Sequence, residues 1–397
     1  MHLRFQRTFR LQDSLKLARY AKAPELGPKI LFFTGGTALR ETCPELIRYT
    51  HNSIHLITPF DSGGSSAVLR QAFGMPAVGD IRNRLMALAD QSIQGHPEIL
   101  SLFAHRFPAN ESSGALRSQL QALGQGKHPL IEGVQLPMRR IVQRHVNVFL
   151  RWMPEDFDLR GASVGNLVLT AGYLENERQI EPIIYLYSKL AEVRGTVRPV
   201  AEADLHLAVR LEDGRTIAGQ HRITGKEHPP LDAPVRSIYL THDLHSHSEA
   251  ETQAPESVIQ LIESADLICY PMGSFFTSLL ANLLPRGIAA AIRRAGCPKI
   301  FIPGTYPDPE SFGLSLKDQV DFLLYMLLQG DPGQSSPQAV LDAVLLEQGL
   351  GSEAERERLE RYLQERAVDL FATRLVTPKT APRIDPQKLV PLLLSCT

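Results

Sequence analysis

Short apolar runs that pass directly into loops rich in glycine, serine, threonine or proline recur along the chain, and they restrict its fold more than any other feature. Five such runs are predicted as strands, within residues 29–33, 53–58, 235–242, 266–271 and 298–303. Continuous apolar strands are typical of parallel sheets that are covered on both faces. With helical segments between strands and right-handed crossovers, the sequence predicts a Rossmann-like α/β fold, a parallel sheet in three layers.

The loop over residues 58–66 is the one best suited to a ligand. It ends in DSGGSS, in which Gly63 and Gly64 permit a tight turn with amides facing outward. Ser65 and Ser66 are predicted to cap the following helix, whose first turn presents unpaired N–H groups to a phosphate. An ordinary glycine turn with a serine N-cap explains the same residues, so this loop alone leaves both interpretations open.

A second helix is predicted over residues 81–90, and polar side chains lie at its start. Asp80 follows Gly79 and is a natural N-cap, which is the structural explanation for it. Arg82 and Asn83 lie in the first turn, where the helix dipole disfavours a guanidinium unless an anion is nearby. The position of Arg82 therefore favours contact with a ligand.

Loops at the carboxyl ends of parallel strands share one edge of the sheet, and ligands bind at that edge. Several polar and glycine positions are therefore expected to converge there: Gly35, Gly36, Asp61, Gly63, Gly273, Ser274, Thr277, Gly304 and Thr305. Thr37 belongs to the first of these loops. A glycine turn that runs into a helix adds Gly165 and Asn166 as candidates, although close packing explains that glycine equally well.

Composition narrows the classes of function. The chain has 397 residues with 43% hydrophobic content, and 42 lysines and arginines nearly balance 43 acidic residues. This balance argues against nucleic acid as a partner, and no apolar run of about 18 residues predicts a membrane span. Four dispersed cysteines indicate neither a disulfide framework nor a thiolate zinc site. We expect a cytoplasmic protein that binds a small molecule.

The chain is predicted to consist of an N-terminal extension, an α/β domain and a helical C-terminal extension, at residues 1–28, 29–330 and 331–397 respectively. Within the α/β domain, residues 91–160 are predicted to be a helical insertion. Residues 195–225 are a β-rich section, in which Asp213 and Gly214 indicate a hairpin. The C-terminal extension reads as two amphipathic helices, and a homo-oligomeric contact through them is the alternative to a simple appendage.

The segment THDLHSHSE carries His242, His245 and His247. Three imidazoles within six residues are a candidate zinc site if the loop curls. A histidine-rich loop is otherwise only a compositional feature, because metal ligands need supporting residues to orient them.

Seven segments in order resemble the CofD/YvcK family: TGGTAL at 34–39, DSGGSSAVLR at 61–70, GMPAVGDIRN at 74–83, GNL at 165–167, EDG at 212–214, GSFFTSLLANLL at 273–284 and PDPESFGLSLKDQV at 307–320. That family joins the 2-phospho-L-lactate transferases of deazaflavin cofactor synthesis to the YvcK-type gluconeogenesis and cell-shape factors. The similarity spans about residues 29–328, and DSGGSS and GDIRN are closer to the YvcK-type branch.

The resemblance implies a nucleotide-linked ligand, such as a guanosine-diphosphate-linked lactate or a uridine-diphosphate sugar. In a transferase, a hydroxyl acceptor attacks a phosphorus atom and a nucleoside monophosphate leaves. Asp61 would then hold Mg²⁺, amides of residues 63–66 would stabilise charge, Arg82 would pair with a phosphate, and Asp80 would orient the acceptor or the metal. In the alternative, the same crevice binds a nucleotide sugar without chemistry and reports its level to a partner.

Three departures from the family pattern bear on activity and on the choice of base or sugar. Ser62 stands where the YvcK-type loop has a second aspartate. Pro271 and Met272 precede Gly273 and Ser274, where GPGS is usual. The sequence GTYPDPES at 304–311 replaces a loop that contains asparagine in the family.

Overall fold

A computed structural model describes residues 11, 13–92, 95–225, 228–245, 248–331 and 335–397. Its strands are β1 Ile30–Thr34, β2 Ile54–Ile57, β3 Thr196–Pro199, β4 His206–Leu211, β5 Thr216–Ala218, β6 Val235–Thr241, β7 Glu249–Ala250, β8 Leu267–Tyr270, β9 Lys299–Phe301, β10 Ala343–Glu347 and β11 Asp369–Thr373.

The α-helices are α1 Ser14–Lys22, α2 Thr42–Leu46, α3 Gly64–Phe73, α4 Gly79–Ala87, α5 Pro97–Ala104, α6 Ser113–Gln125, α7 Pro129–Glu132, α8 Met138–Trp152, α9 Val164–Glu175, α10 Glu181–Leu190, α11 Gln220–Ile223, α12 Glu256–Glu263, α13 Ile288–Arg294, α14 Leu316–Leu328, α15 Glu353–Gln364 and α16 Pro386–Ser395. Single 3₁₀ turns lie at Pro24–Leu26, Leu280–Leu283, Pro309–Ser311 and Pro337–Ala339, and a π-helical turn lies at Phe275–Leu279. None of the helices in the described ranges is long and apolar enough to span a bilayer.

The main sheet has seven strands in the order β11-β10-β9-β8-β1-β2-β3, and every neighbouring pair is parallel. The strand order reverses between β1 and β8. From this point β1, β2 and β3 follow one another towards one edge of the sheet, and β8, β9, β10 and β11 follow one another towards the other edge. The predicted Rossmann-like fold class is therefore confirmed. In such sheets the reversal leaves a crevice outside the carboxyl ends of the strands.

Strand β1 shows why the sheet is covered on both faces. Ile30 and Phe32 belong to one apolar core, while Leu31 and Phe33 belong to a second core on the opposite face, and all four side chains are fully buried. Successive side chains of a strand point to opposite faces, so a run of four apolar residues in a strand needs helices on both sides of the sheet. The three-layer prediction follows from this pattern.

The prediction that the run at 235–242 is a strand of the parallel sheet is wrong. It forms β6, which pairs antiparallel with β4 and β7 in a separate four-stranded sheet ordered β5-β4-β6-β7. Asp213 and Gly214 do form the turn between β4 and β5, and Gly214 has the positive φ of +89° that favours glycine. Burial of β6 on both faces produces the same apolar run as a parallel strand, which explains the error.

The C-terminal segment is not purely helical, contrary to the prediction for residues 331–397. The sequence at 336–349 was predicted as a helix, but it forms the turn Pro337–Ala339 and strand β10. Strand β11 follows α15, and both strands extend the main sheet beyond β9. Pairing with β9 stabilises a strand where the apolar spacing also suited a helix, so tertiary contacts overrode the local pattern.

Candidate functional site

Two cavities adjoin at the carboxyl edge of the main sheet, where β1 and β8 separate. The first has a volume of about 320 Å³ and the second about 810 Å³. Both are lined by Thr37, Thr224, Ser274 and Ser278, so they form one continuous cleft. The switch point of the sheet thus carries the cleft that the strand order predicts.

The first cavity is lined mainly by glycine, hydroxyl and charged residues: Gly36, Thr37, Asp61, Gly63, Gly64, Ser65, Ser66, Gly79, Asp80, Arg82, Asn83, Arg106, Asn166, Gln220, His221, Thr224, Ser274 and Ser278. Twelve of these positions were predicted from the sequence. They come from the loops after β1, β2 and β8 and from the first turns of α3, α4 and α9.

The start of α3 forms one wall of the first cavity. Gly63 is the N-cap and no side chain caps the helix, so Ser65 and Ser66 lie inside the first turn and are not the predicted caps. Gly64 has a φ of +48°, a conformation that glycine adopts without strain. The Gly63 amide donates to Oδ1 of Asp61 at 3.1 Å. The helix N-terminus therefore faces the cavity beside a carboxylate.

The start of α4 forms the facing wall. Val78 is its N-cap and Asp80 lies in the first turn, so the structural explanation of Asp80 as a cap is wrong. The Asp80 carboxylate packs against the turn after β1, because a Cβ atom built on Gly36 would overlap Oδ1 of Asp80. A side chain at position 36 would displace this carboxylate, which is a steric reason for glycine at this position.

Arg82 points a nearly buried guanidinium at the first cavity. Its side chain is 7% exposed, Nη2 donates to Oδ1 of Asn83 at 2.5 Å, and Nε has no partner among the described residues. Burial lowers the pKa of the Arg82 guanidinium, and the positive charges of Arg106 and Arg40 act in the same direction. No carboxylate of the described residues lies within 4 Å of it. Such a group is suited to an anionic ligand.

Two further buried polar atoms at the first cavity lack partners within the described part of the chain. Asn166 donates from Nδ2 to Oγ of Ser65 at 3.1 Å, but its Oδ1 accepts no hydrogen bond. Oε1 of Gln220 is likewise without a donor. Buried polar atoms are almost always hydrogen-bonded, so these two acceptors are available to a hydrogen-bond donor that enters the cavity.

Three predicted positions do not line either cavity. Gly165 is in close contact with other elements, since a Cβ atom there would lie 2.8 Å from the carbonyl oxygen of Phe103, so packing explains it. Gly35 lies behind the cavity wall. Thr277 is fully buried, and its hydroxyl donates to Glu310 at 2.5 Å. The ligand contacts predicted for these residues are therefore not supported by their positions.

Gly273, Gly304 and Thr305 line the second cavity. The hydroxyl of Thr305 donates to the carbonyl oxygen of Pro382 at 2.6 Å, which ties the loop after β9 to the C-terminal segment. The cavity wall is largely apolar and aromatic, with Leu231, Met272, Phe275, Phe301, Ile302, Tyr306 and Phe312 among its residues. The predicted set is thus divided between a polar and an apolar part of one cleft.

The turn after β8 is occupied by carboxylates of the protein itself. Asp308 accepts from the Phe275 amide at 2.8 Å, and Glu310 accepts from the Phe276 and Thr277 amides at 3.1 and 2.8 Å. Burial, followed by the charge of Asp308, raises the pKa of Glu310 to about 7. The amides of residues 275–277 are therefore bound internally at this turn.

Six residues of the first cavity were not predicted as site residues: Gly79, Ser278, Arg106, Gln220, His221 and Thr224. The last three belong to α11 and its end, which follow Gly219 at a φ of +102° in the β-rich section. His221 Nδ1 and Ser62 Oγ are hydrogen-bonded at 2.8 Å and join this section to the loop after β2. A glycine after a strand was the only sequence signal for α11.

The first cavity contains carboxylates that could bind a metal ion together with a ligand, but no complete set of metal ligands among the described residues. No group of three or more histidine, cysteine, aspartate or glutamate side chains within the described ranges is arranged to hold a metal ion. His242 and His245 form no such site, and His247 lies outside the described residues. Asp61 and Asp80 both line the first cavity. Mg²⁺ is commonly held by one or two carboxylates together with phosphates, so these residues fit a magnesium ion shared with a ligand.

The fold and the cleft define a Rossmann-like α/β protein that has a polar cavity, lined in part by Arg82, at the switch point of its sheet. A family model described as 2-phospho-L-lactate transferase CofD matches residues 30–379, most of the chain, and the chain belongs to this CofD family. The resemblance drawn from the motifs is therefore confirmed.

The chain is similar to proteins named gluconeogenesis factors. It is 29% identical over 382 residues to a putative gluconeogenesis factor of Nostoc sp., with 93% of this chain and 68% of that protein covered. It is 30% identical over 297 residues to the gluconeogenesis factor of Bacillus subtilis, with 75% and 74% covered. A crystallised Bacillus halodurans protein of the UPF0052 family shares the fold at a TM-score of 0.66 and 23% identity, over 92% of this chain and 99% of the other.

Proposed function

We propose that the cleft binds a nucleotide-linked small molecule, and that the protein transfers a phospho-group from a nucleoside diphosphate ester to a hydroxyl acceptor. The observation that carries this proposal is the arrangement of the first cavity, where the uncapped start of α3 and the buried guanidinium of Arg82 face the same space. Amides at a helix start and an unpaired guanidinium both favour phosphate oxygens. The family description, a 2-phospho-L-lactate transferase, supports the same chemistry.

In this reaction the acceptor oxygen forms a bond to phosphorus while the bond from phosphorus to the leaving nucleoside monophosphate breaks. Asp80 lines the cavity, where it would orient the acceptor hydroxyl, and the proton released from that hydroxyl would pass to solvent. Negative charge spreads over the phosphoryl oxygens, where the amides of residues 64–66 and Arg82 would stabilise it, since the Gly63 amide already donates to Asp61. Mg²⁺, when bound at Asp61, would neutralise part of the same charge.

The second cavity suits the uncharged part of the ligand or the acceptor. Tyr306 and Phe312 are about half exposed beside it, and Asp308 and Glu310 already occupy the amides of the adjacent turn. A phosphate there would meet the carboxylate of Asp308, which lines this cavity. We therefore assign the diphosphate to the first cavity and a planar or apolar group to the second.

The test is incubation with nucleoside diphosphate esters, including a guanosine-diphosphate-linked lactate, in the presence of Mg²⁺ and a deazaflavin alcohol acceptor. Release of nucleoside monophosphate together with a phosphodiester product is expected. Arg82→Met should reduce turnover by about 10²-fold or more, because a contact to the reacting phosphate is lost. Absence of monophosphate with every ester and acceptor would remove the transferase proposal.

A second candidate is a regulatory protein that binds a nucleotide sugar without turnover. One observation favours it: the relatives that this chain is similar to are named gluconeogenesis factors. Binding of a uridine-diphosphate sugar without monophosphate release, unchanged in Asp61→Asn, would support this function. Loss of turnover in Asp61→Asn with binding retained would support the transferase.

A further inference from the structure

Arg84 is a buried cation directly behind the first cavity. It lies on α4, its side chain is 0% exposed, and it is the largest fully buried side chain of the described residues. Nη1 donates to Sγ of Cys43 at 3.0 Å, and Nη2 donates to the carbonyl oxygen of Gly35 at 2.9 Å and to Oγ1 of Thr34 at 3.2 Å. It lines neither of the two cavities.

The charge of Arg84 is not matched by a directly bound carboxylate. Within the described part of the chain no carboxylate oxygen lies within 4 Å of it, and Nε is buried without a partner. Its field reaches neighbouring groups: after burial itself, Arg84 is the second cause that lowers the pKa of His55. A buried charge that lacks a close counterion is costly, so a negative charge nearby would be strongly favoured.

The turn after β1 lies between Arg84 and the first cavity. On one side of this turn, the carbonyl oxygen of Gly35 accepts a hydrogen bond from Arg84. On the other side, a Cβ atom built on Gly35 would lie 3.4 Å from Oδ2 of Asp80. Thr34 is held in addition by Asn282, whose Nδ2 donates to its carbonyl oxygen at 3.1 Å. The turn is therefore fixed from behind, and its next residue, Gly36, lines the cavity.

We propose that Arg84 is a positioning residue for the anionic ligand: its buried positive charge, directed through the Gly35 peptide, increases the affinity of the first cavity for phosphate groups. This inference rests on the proposed function, because it takes a phosphate-bearing ligand to occupy that cavity. Inside a protein the field of a charge is weakly screened and acts over several ångströms. The effect must therefore increase with the charge of the ligand.

The test compares Arg84→Lys and Arg84→Gln by calorimetric titration with inorganic phosphate and with pyrophosphate at one fixed magnesium concentration. Lysine keeps the charge, whereas glutamine keeps a hydrogen-bond donor for Gly35 without the charge. For Arg84→Gln we expect affinity to fall about tenfold for pyrophosphate and about threefold for phosphate, and for Arg84→Lys we expect the preference for pyrophosphate to remain. Arg48→Gln is the matched control, since Arg48 is 62% exposed and pairs with Glu45 outside the cleft.

A purely structural role of Arg84 gives a different result. Both variants would then lose affinity for both anions by one common factor, and that outcome, or an unchanged pyrophosphate affinity in Arg84→Gln, overturns the inference while leaving the proposed function intact. If the unaltered protein binds no pyrophosphate, the proposed phosphate site fails and the inference fails with it. Urea unfolding without ligand shows whether each variant is folded. If Arg84→Gln is not folded, the affinities of Arg84→Lys for the two anions decide between the two roles.

Discussion

Arg70 binds Asp204 and the loop after β2, which contains Asp61, at the same time. Its Nε and Nη2 donate to Oδ1 of Asp204 at 2.9 and 2.7 Å, and its Nη1 donates to the carbonyl oxygen of Asp61 at 3.0 Å. Arg70 is on α3, and Asp204 precedes β4 of the antiparallel sheet. One guanidinium thus fixes the position of Asp61 relative to both sheets, which only its planar fork of donors can do.

Arg70→Lys should weaken this link. A lysine cannot make all three of these hydrogen bonds at once, so we expect a loss of about 1–3 kcal/mol in the free energy of unfolding, given that Asp204 is 38% exposed. Ligand affinity should fall about tenfold because Asp61 is no longer held in place. Urea unfolding and calorimetric titration measure the two effects. Arg48→Lys, at an exposed ion pair, should change neither, and a normal affinity in Arg70→Lys would contradict the positioning of Asp61.

Gly36→Ala should damage the site more than the fold. The new methyl group would overlap Oδ1 of Asp80, and the carboxylate must move out of place. We expect a loss of about 1–3 kcal/mol in stability. Ligand binding should be lost or greatly weakened, measured by thermal shift with the nucleotide-linked ligand.

Gly114→Ala is the matched control for this change. Gly114 lies exposed in α6, and a Cβ atom there meets nothing within 4 Å, so alanine should be neutral or stabilising by up to about 1 kcal/mol. Wild-type binding by Gly36→Ala would show that Asp80 is not held by this turn.

Glu310 should make the stability of the protein fall as the pH rises through neutrality. Its pKa is about 7 in the folded protein, because of burial and the charge of Asp308, and near 4.3 in an unfolded chain. The folded state therefore binds the proton more tightly. The stabilisation is complete below about pH 4.3 and is lost as the pH rises through about 7.

Glu310→Gln removes this titration. Between pH 5 and 8 the free energy of unfolding of the unaltered protein should fall by about 1–3 kcal/mol relative to that of Glu310→Gln, measured by urea unfolding at several pH values. Glu357→Gln, at an exposed position of α15, should keep the slope of the unaltered protein. Parallel curves for the unaltered protein and Glu310→Gln would show that Glu310 has an ordinary pKa.

Asp61→Asn should abolish the magnesium dependence of ligand binding. We expect the unaltered protein to bind a nucleoside diphosphate about tenfold more tightly with Mg²⁺ than in a chelator, because the ion would bridge Asp61 and the phosphates. In Asp61→Asn the two affinities should be nearly equal. Asp156→Asn, an exposed position, should retain the difference. An equal magnesium effect in Asp61→Asn would place the ion elsewhere.

Much of the site was predictable because it follows strands that are buried along their whole length. Residues of β1 and β2 are buried on both faces, and the loops after them, with Gly36, Asp61 and Gly63, do meet in the first cavity together with Asp80 of α4. Thr277 was misassigned for an equally physical reason. Its loop looks like a phosphate-binding turn, but Glu310, distant in the sequence, occupies its amides. No local pattern shows which acceptor a free amide finds.

The sequence by itself determined the α/β class, the order of the glycine loops and most of the polar residues that line the first cavity, namely Asp61, residues 63–66, Asp80, Arg82 and Asn83, because strand burial and turn chemistry are local properties. Tertiary structure alone decided that β6 pairs antiparallel, that β10 and β11 complete the sheet, and that α11 closes the cavity with His221. It also decided which buried charges remain without a close counterion. Such outcomes depend on contacts between residues far apart in the chain, where the neighbour sets the stability of each element.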